Sequence, residues 1–353
     1  MSKVRLGDVA LEHKETCKAD KGDFPVVGLE HLTPEEVTLS AWEEGTDNTF
    51  TKVFRKGNVL FGRRRAYLKK AATAPFDGVC SGDITVIEAI PDKILPELLP
   101  FVIQNDAFFD FAVEKSAGSL SPRVKWEHLK DYEFELPALD KQKKLAELLW
   151  AIDATKKSYQ NLIKKTDELV KSQFIEMMEE WRNTGKGCEY LLGDLTTIRT
   201  GKLDANAASP NGIYPFFTCS KEPLRIDTYS YDCECVLVAG NGELNAKYYK
   251  GKFDAYQRTY IIESCNQEIL SVPFLFRFLE QYVSKLQAQA IGGVIKYIKL
   301  GMLTGARIIL PELSEQIRFV DFVQQSDKSK FELEQALNDL TATYKRIITE
   351  NLG

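Results

Sequence analysis

From Thr49 to Phe76 the chain carries eight positive side chains and no carboxylate: Lys52, Arg55, Lys56, Arg63, Arg64, Arg65, Lys69 and Lys70. Such a run concentrates charge that attracts phosphates, and an arginine's planar fork also pairs with the O6 and N7 acceptors of guanine. The same run serves equally as a solvated face, and the residues alone leave both readings open. Tyr67 sits at the tip of the run, and Ser81 and Asp83 close the segment Phe76-Asp77-Gly78-Val79-Cys80-Ser81-Gly82-Asp83. A second cluster starts at Asn241, in the turn Ala239-Gly240-Asn241-Gly242. It continues through Lys247, Tyr248, Lys250 and Lys252 to Gln257 and Arg258, basic residues interleaved with aromatics. Strand alternation lets only one of Tyr248 and Tyr249 face a ligand, while the other faces a core. Gln257 has the amide that pairs with adenine N6 and N7. Ser119, Ser121, Arg123 and Lys125, with Lys296, Tyr297 and Lys299 further on, offer phosphate contacts or ordinary surface polarity.

No residue set points to catalysis. An Asn/Asp-Pro-Pro-Tyr/Phe motif for holding a flipped adenine is missing, as is a GxxxxGK[ST] loop for a nucleotide. His13, His31 and His128 lack metal-ligand spacing, and Pro91-Asp92-Lys93 has no second acidic-x-Lys element at nuclease distance. Seven scattered cysteines form no CxxC pair, and the first residues lack an apolar signal core. These features predict reduced thiols and a cytoplasmic location, with no membrane span because no long apolar run exists. Hydrophobic content of 44%, charged content of 27% and a net charge of −5 describe a globular protein whose charge distribution matters more than its total.

The elements that must position these residues are two long helices. Apolar residues at Leu145, Leu149, Ile152, Tyr159, Ile163, Val170 and Met177 follow the spacing of a coiled-coil seam, with Asp140 expected as N-cap. A second helix is expected from Ser314 to about Asn351, with its seam at Leu333, Leu337, Leu340, Tyr344 and Ile347. A shift of 174 residues lays the start of the first helix on the start of the second. Leu136-Pro137 then matches Leu310-Pro311, and Leu139, Gln142, Asp153 and Lys156 match Leu313, Gln316, Asp327 and Lys330. Upstream, Gly118, Lys125 and Leu129 match Gly292, Lys299 and Leu303 at the same shift, and at a separate offset of 186 Leu6-Gly7-Asp8-Val9 matches Leu192-Gly193-Asp194-Leu195. This is an internal duplication. Short strands are expected at Phe24–Val27, Val37–Leu39, Val59–Phe61, Ile84–Ile87, Phe134–Leu136, Tyr214–Phe217 and Val236–Val238. Helices are expected at Pro96–Val113 and Val272–Gln289, and Asn183–Gly187 reads as a linker.

A variable α/β domain, an LP-x-L-x-x-Q helix start, a long helix and then all of it again resembles the specificity subunit of Type I restriction–modification systems. The resemblance covers essentially the whole chain. Val59–Tyr67 with Phe76–Asp83 is similar to one recurring recognition-domain type, and Asn211–Cys219 with Tyr248–Phe253 to another. The sequence departs from the family's LPPL-Glu-Gln pattern at Ala138, Lys141 and Glu312. The fold implied is α+β, with two α/β target-recognition domains separated by two long antiparallel coiled-coil helices. The expected bounds are 1–138 and 184–312 for the domains, and 139–183 and 313–353 for the helices. The resemblance also implies a non-catalytic subunit that reads a two-part site in double-stranded DNA. It would dock two modification (methyltransferase) subunits and restriction/translocase subunits, with S-adenosylmethionine on the partner and no cofactor on this chain. A stand-alone sequence-specific DNA-binding regulator and an interaction scaffold are the competing classes, separated by salt-sensitive DNA binding and by co-purification with a methyltransferase.

Overall fold

The computed structural model describes residues 2–17, 24–44, 48–185, 187–292 and 296–353. Apolar side chains spaced alternately by three and four residues build two long helices, Leu139–Thr184 and Leu313–Leu352. The chain forms two compact units, Met1–Leu162 with Leu333–Gly353, and Ile163–Glu332. Each long helix therefore contributes one segment to each unit. In the first unit Leu145, Leu149 and Ile152 share a core with Tyr344, Ile348 and Leu352, so the start of one helix lies antiparallel to the end of the other. In the second unit Phe174 and Trp181 share a core with Phe319 and Val323.

Both long helices start one residue before the expected cap. Leu139 is already helical, the Ala138 carbonyl accepts from Lys141 and Gln142, and Asp140 lies in the first turn, facing the positive end of the helix dipole. Ser314 is likewise inside its helix, behind a Glu312 carbonyl that accepts from Glu315 and Gln316. What fixes each start is a buried glutamine. The Gln142 amide accepts from the Leu95 N–H at 2.9 Å and donates to the Pro137 carbonyl at 2.9 Å. The Gln316 amide accepts from the Ser271 N–H at 3.0 Å and donates to the carbonyls of Ile269 and Pro311 at 2.7 and 3.0 Å.

In the first unit, alternating apolar residues form an antiparallel sheet in the order Ala10–Glu12, Ile84–Ala89, Val59–Gly62, Ala71–Thr73. A second sheet holds Gly78–Cys80 between Val26–Val27 and Lys52–Phe54. The second unit has one six-stranded sheet, ordered Thr196–Thr200, Thr259–Ser264, Tyr231–Ala239, Ala246–Ala255, Tyr214–Phe217, Leu224–Ile226. Its central pair, Tyr231–Ala239 with Ala246–Ala255, is antiparallel. Val37–Leu39 is not a strand: a lone bridge from Thr38 to Thr73 ties it to the sheet edge. The expected Pro96–Val113 helix is two, Leu99–Ile103 and Asp106–Glu114. The break falls at Asn105, whose side chain caps the second helix by accepting from the Ala107 N–H at 3.1 Å. The first long helix runs through Asn183 to Thr184, so Gly185, with φ +66°, ends it, and Lys186 lies outside the described residues. No helix among the described residues is long and apolar enough to cross a membrane.

The duplication is visible bond by bond. Ser2–Arg5 pairs with Glu133–Leu136, and Cys188–Leu191 pairs with Arg307–Leu310. The Leu6 N–H donates to Tyr132, and the Leu192 N–H to Ala306, both at 2.8 Å. Both signature glycines are required by a close approach. A Cβ on Gly7 would stand 3.0 Å from that of Lys130, and one on Gly193 2.9 Å from that of Thr304. Gln142→Ala should leave the Leu95 N–H and Pro137 carbonyl unpaired in a buried site and cost about 1–3 kcal/mol in urea denaturation. Lys141→Ala, on the exposed face beside it, should stay within about 0.5 kcal/mol of the native chain.

Candidate nucleic-acid interface

The strand Val59–Gly62 ends in the arginine triplet, and two neighbours pin the chain there. The Arg63 N–H donates to the Asp83 carbonyl at 3.0 Å, and the Arg65 N–H to the Pro122 carbonyl at 2.8 Å. The Val124 N–H returns to the Arg63 carbonyl at 3.0 Å, so Arg64 and Arg123 form an antiparallel bridge. The second unit repeats this frame with other side chains. The Gly240 N–H donates to the Arg258 carbonyl at 2.8 Å, the Gly242 N–H to Lys296 at 2.9 Å, and the Ile298 N–H to Gly240 at 2.9 Å. Asn241 and Tyr297 form the matching bridge. The arginine triplet thus corresponds to Gly240-Asn241-Gly242, and Asp83 to Arg258. Arg65 and Gly242 both hold left-handed backbone, with φ of 55° and 71°. Such backbone is free for glycine and costs an arginine about 1–2 kcal/mol.

The first cluster is partly compensated, which its spacing along the sequence did not show: among the described residues, carboxylates brought in by the fold pair three of its eight cations, Arg55, Arg64 and Lys69. Arg123 donates to both Asp83 oxygens, at 2.7 and 3.3 Å. Arg64 reaches Asp83 at 3.4 Å and the Ser121 hydroxyl at 3.1 Å. The Ser81 hydroxyl accepts from the Asp83 N–H at 3.2 Å, which ties the backbone of this turn. Lys69 pairs with Asp106 at 2.5 Å, and Arg55 with Glu15 and Asp77. Lys52 and Lys70 each donate to a backbone carbonyl, of Ile84 and Leu29, at 2.7 Å. Among the described residues Arg63 and Arg65 form no ion pair, and Arg65, Tyr67 and Lys125 are exposed.

In the second unit Tyr249 packs against Phe217 and Phe253, while Tyr248 is the exposed member of the pair. The Tyr248 hydroxyl donates to Glu234 at 2.7 Å, and burial together with that carboxylate pushes its pKa up to about 12. Lys250 pairs with the same Glu234 at 3.1 Å, and Lys252 lies over the Tyr229 ring. Lys247 bonds to Asn245, and burial holds its ammonium below the ordinary value. Gln257 and Arg258 form the exposed turn beside Gly240, and Lys296 and Lys299 are exposed near Asn241. The spacing in the sequence did not reveal Glu234, Asn245 or Asp106 as partners, nor Leu120, which is 91% exposed at the tip beside Ser121. His13 is hydrogen-bonded to Glu88 at 2.7 Å.

Arg123 and then Arg64 hold the Asp83 carboxylate below its usual range, against the effect of burial. With the folded value below the unfolded one, this stabilisation is complete above about pH 4 and is lost as pH falls through the folded value. Asp83→Asn should therefore be less stable than the native chain in denaturation at pH 7, with the gap narrowing towards pH 3. A gap that does not change with pH would show that the carboxylate charge does not hold this loop.

Comparison with known proteins agrees with this doubled frame. The family model described as Type I restriction modification DNA specificity domain matches residues 1–166 and 188–341. The Type I restriction enzyme EcoDI specificity subunit of Escherichia coli is 38% identical over 162 residues, 45% of this chain and 36% of that subunit. The chain thus spans about a third of that curated relative's length. The crystal structure of a Type I restriction–modification S subunit from M. genitalium superposes over 100% of this chain and 96% of that one, with a TM-score of 0.63 at 14% identity. A chain from a structure of a Type I restriction–modification system, titled for its complex assembly and conformational transition, gives 0.61 at 19% identity over 99% and 97%. At these identities the structural likeness shows the fold. The chain belongs to the Type I restriction modification DNA specificity domain family and carries two domains of that kind.

Proposed function

We propose that this chain is the sequence-reading subunit of a Type I restriction–modification complex, each unit reading one half of a two-part site in double-stranded DNA. The observation that carries this reading is the duplicated frame with unlike tips. Equivalent hydrogen bonds present Arg63-Arg64-Arg65 over Asp83 in one unit and Gly240-Asn241-Gly242 over Arg258 in the other. A shared scaffold with different donors and acceptors suits the recognition of two different base sequences. Arg65 supports it further, because an arginine is kept where the copy relieves backbone strain with glycine. The remaining exposed cations, among them Lys125, Lys296 and Lys299, suit phosphates and fix register.

In this reading the chain is non-catalytic and cytoplasmic. S-adenosylmethionine belongs to partner methyltransferase subunits, two of which dock here, and restriction/translocase subunits complete the complex. The helices offer a face for such partners. Within the second unit Leu169 lies on the first long helix, and Ile317 and Phe331 lie two heptads apart on the second, all exposed and off the seam. Heptad spacing on an outer face suits added helices from the methyltransferase.

Leu169→Asp combined with Phe331→Asp should abolish co-purification with the methyltransferase and leave salt-sensitive DNA binding by the chain unchanged. The chain alone should bind no S-adenosylmethionine in calorimetry and methylate no DNA. Methyl transfer by the purified chain would overturn the subunit reading, and undiminished co-purification of the double variant would remove the docking face.

A further inference from the structure

Among the described residues of the first unit, one large apolar side chain stands almost wholly in solvent. Leu120 is 91% exposed, at the tip of the turn that leads from the helix Asp106–Glu114 back to Arg123. A single exposed leucine usually needs no explanation. This one differs in how it is held. The stem below it is closed by two hydrogen bonds between Ala117 and Arg123, at 3.0 and 2.9 Å, and by the bridge from Arg123 to Arg64. Gly118 opens the turn with φ +114°, a backbone that a side chain would strain. Ser121, directly after Leu120, is bonded by Arg64, and Arg123 is clamped on Asp83. The tip therefore stands on a fixed base of guanidinium groups. The copy keeps the device: Gly292 has φ +116°, Ile291 and Tyr297 form the matching bridge, and the sequence places Val294 where Leu120 stands, a residue outside the described ones.

We infer that Leu120 is a specificity-determining residue of the first half-site, making apolar contact with a thymine methyl group in the major groove. The inference rests on the DNA reading proposed above. Phosphates accept charge and hydrogen bonds, neither of which a leucine supplies. In that groove the apolar feature that differs between base pairs is the thymine methyl. Arginines beside the tip would engage phosphates or guanine and so bring the leucine to the base edges. The proposal adds Leu120 to the polar and charged candidates rather than replacing them.

The test uses the full chain assembled with its methyltransferase, on duplexes carrying the target motif found by methylation sequencing. Each thymine of the motif is replaced in turn by deoxyuridine, which removes only the methyl. The native chain should lose about fourfold in affinity at one thymine of one half-site, the value of burying one methyl group. Leu120→Ala should bind the unmodified duplex about fourfold more weakly and lose nothing further at that same deoxyuridine. Its thermal unfolding should be unchanged, since the side chain is in solvent. Val113→Ala, an exposed control on the helix before the loop, should behave as native throughout. Leu120→Ala indistinguishable from native on every duplex would overturn the inference while leaving the DNA reading intact. So would a rise in 2-aminopurine fluorescence beside that thymine that the native complex shows and Leu120→Ala loses, which marks a leucine wedged between base pairs rather than a base flipped by the methyltransferase. A native complex that binds all sequences alike would overturn the DNA reading and this inference with it.

Discussion

Two buried glutamines hold the architecture to its register. Gln142 and Gln316 are 1% and 0% exposed, and each ties a loop of its recognition domain to the first turn of a long helix. A buried amide without partners costs more than the bonds it makes contribute net. The helix start, the proline before it and the loop above it are therefore fixed together or not at all. From that point the seam runs outward in steps of three and four, and the terminal strand pairs close each unit at the other side of the proline.

Above this lock the backbone is shared and the chemistry is not. The strand end, the turn after the helix and the carbonyl at the neighbouring tip meet through the same bonds in both units. On them stand three arginines over a carboxylate in one case, and two glycines and an asparagine beside an arginine in the other. Pairing Arg64 and Arg123 with Asp83 limits how far these side chains wander before binding, which lowers the entropy lost on docking. A frame of this kind tolerates changed tips because the tips carry little of its core. Arg65, Tyr67, Gln257 and Arg258 are all exposed.

Much of this was legible in the chain. The heptad steps placed both long helices to within a residue or two, since a seam of Leu145, Leu149 and Ile152 reports its own period. The repeat was legible because Leu-Gly-Asp and Leu-Pro-x-Leu-x-x-Gln do the same structural work twice, against Lys130 and Thr304 and against Leu95 and Ser271. Charge compensation was not legible. Asp83 and Asp106 lie outside the basic run in sequence, and only folding brings them to Arg123, Arg64 and Lys69. The exposure of Leu120 was hidden for the same reason, because an aliphatic residue between two serines does not reveal whether its loop folds inward. The break at Asn105 was missed because the apolar pattern continues across it, and the capping bond is local to one side chain.

The central claim is that each domain reads its half of the site independently on a shared frame. It is tested most directly by exchanging residues 188–290 for the matching region of another specificity subunit and sequencing the methylated motif. The account predicts that one half of the motif changes to that of the donor while the other half is retained base for base. A motif altered in both halves would contradict it.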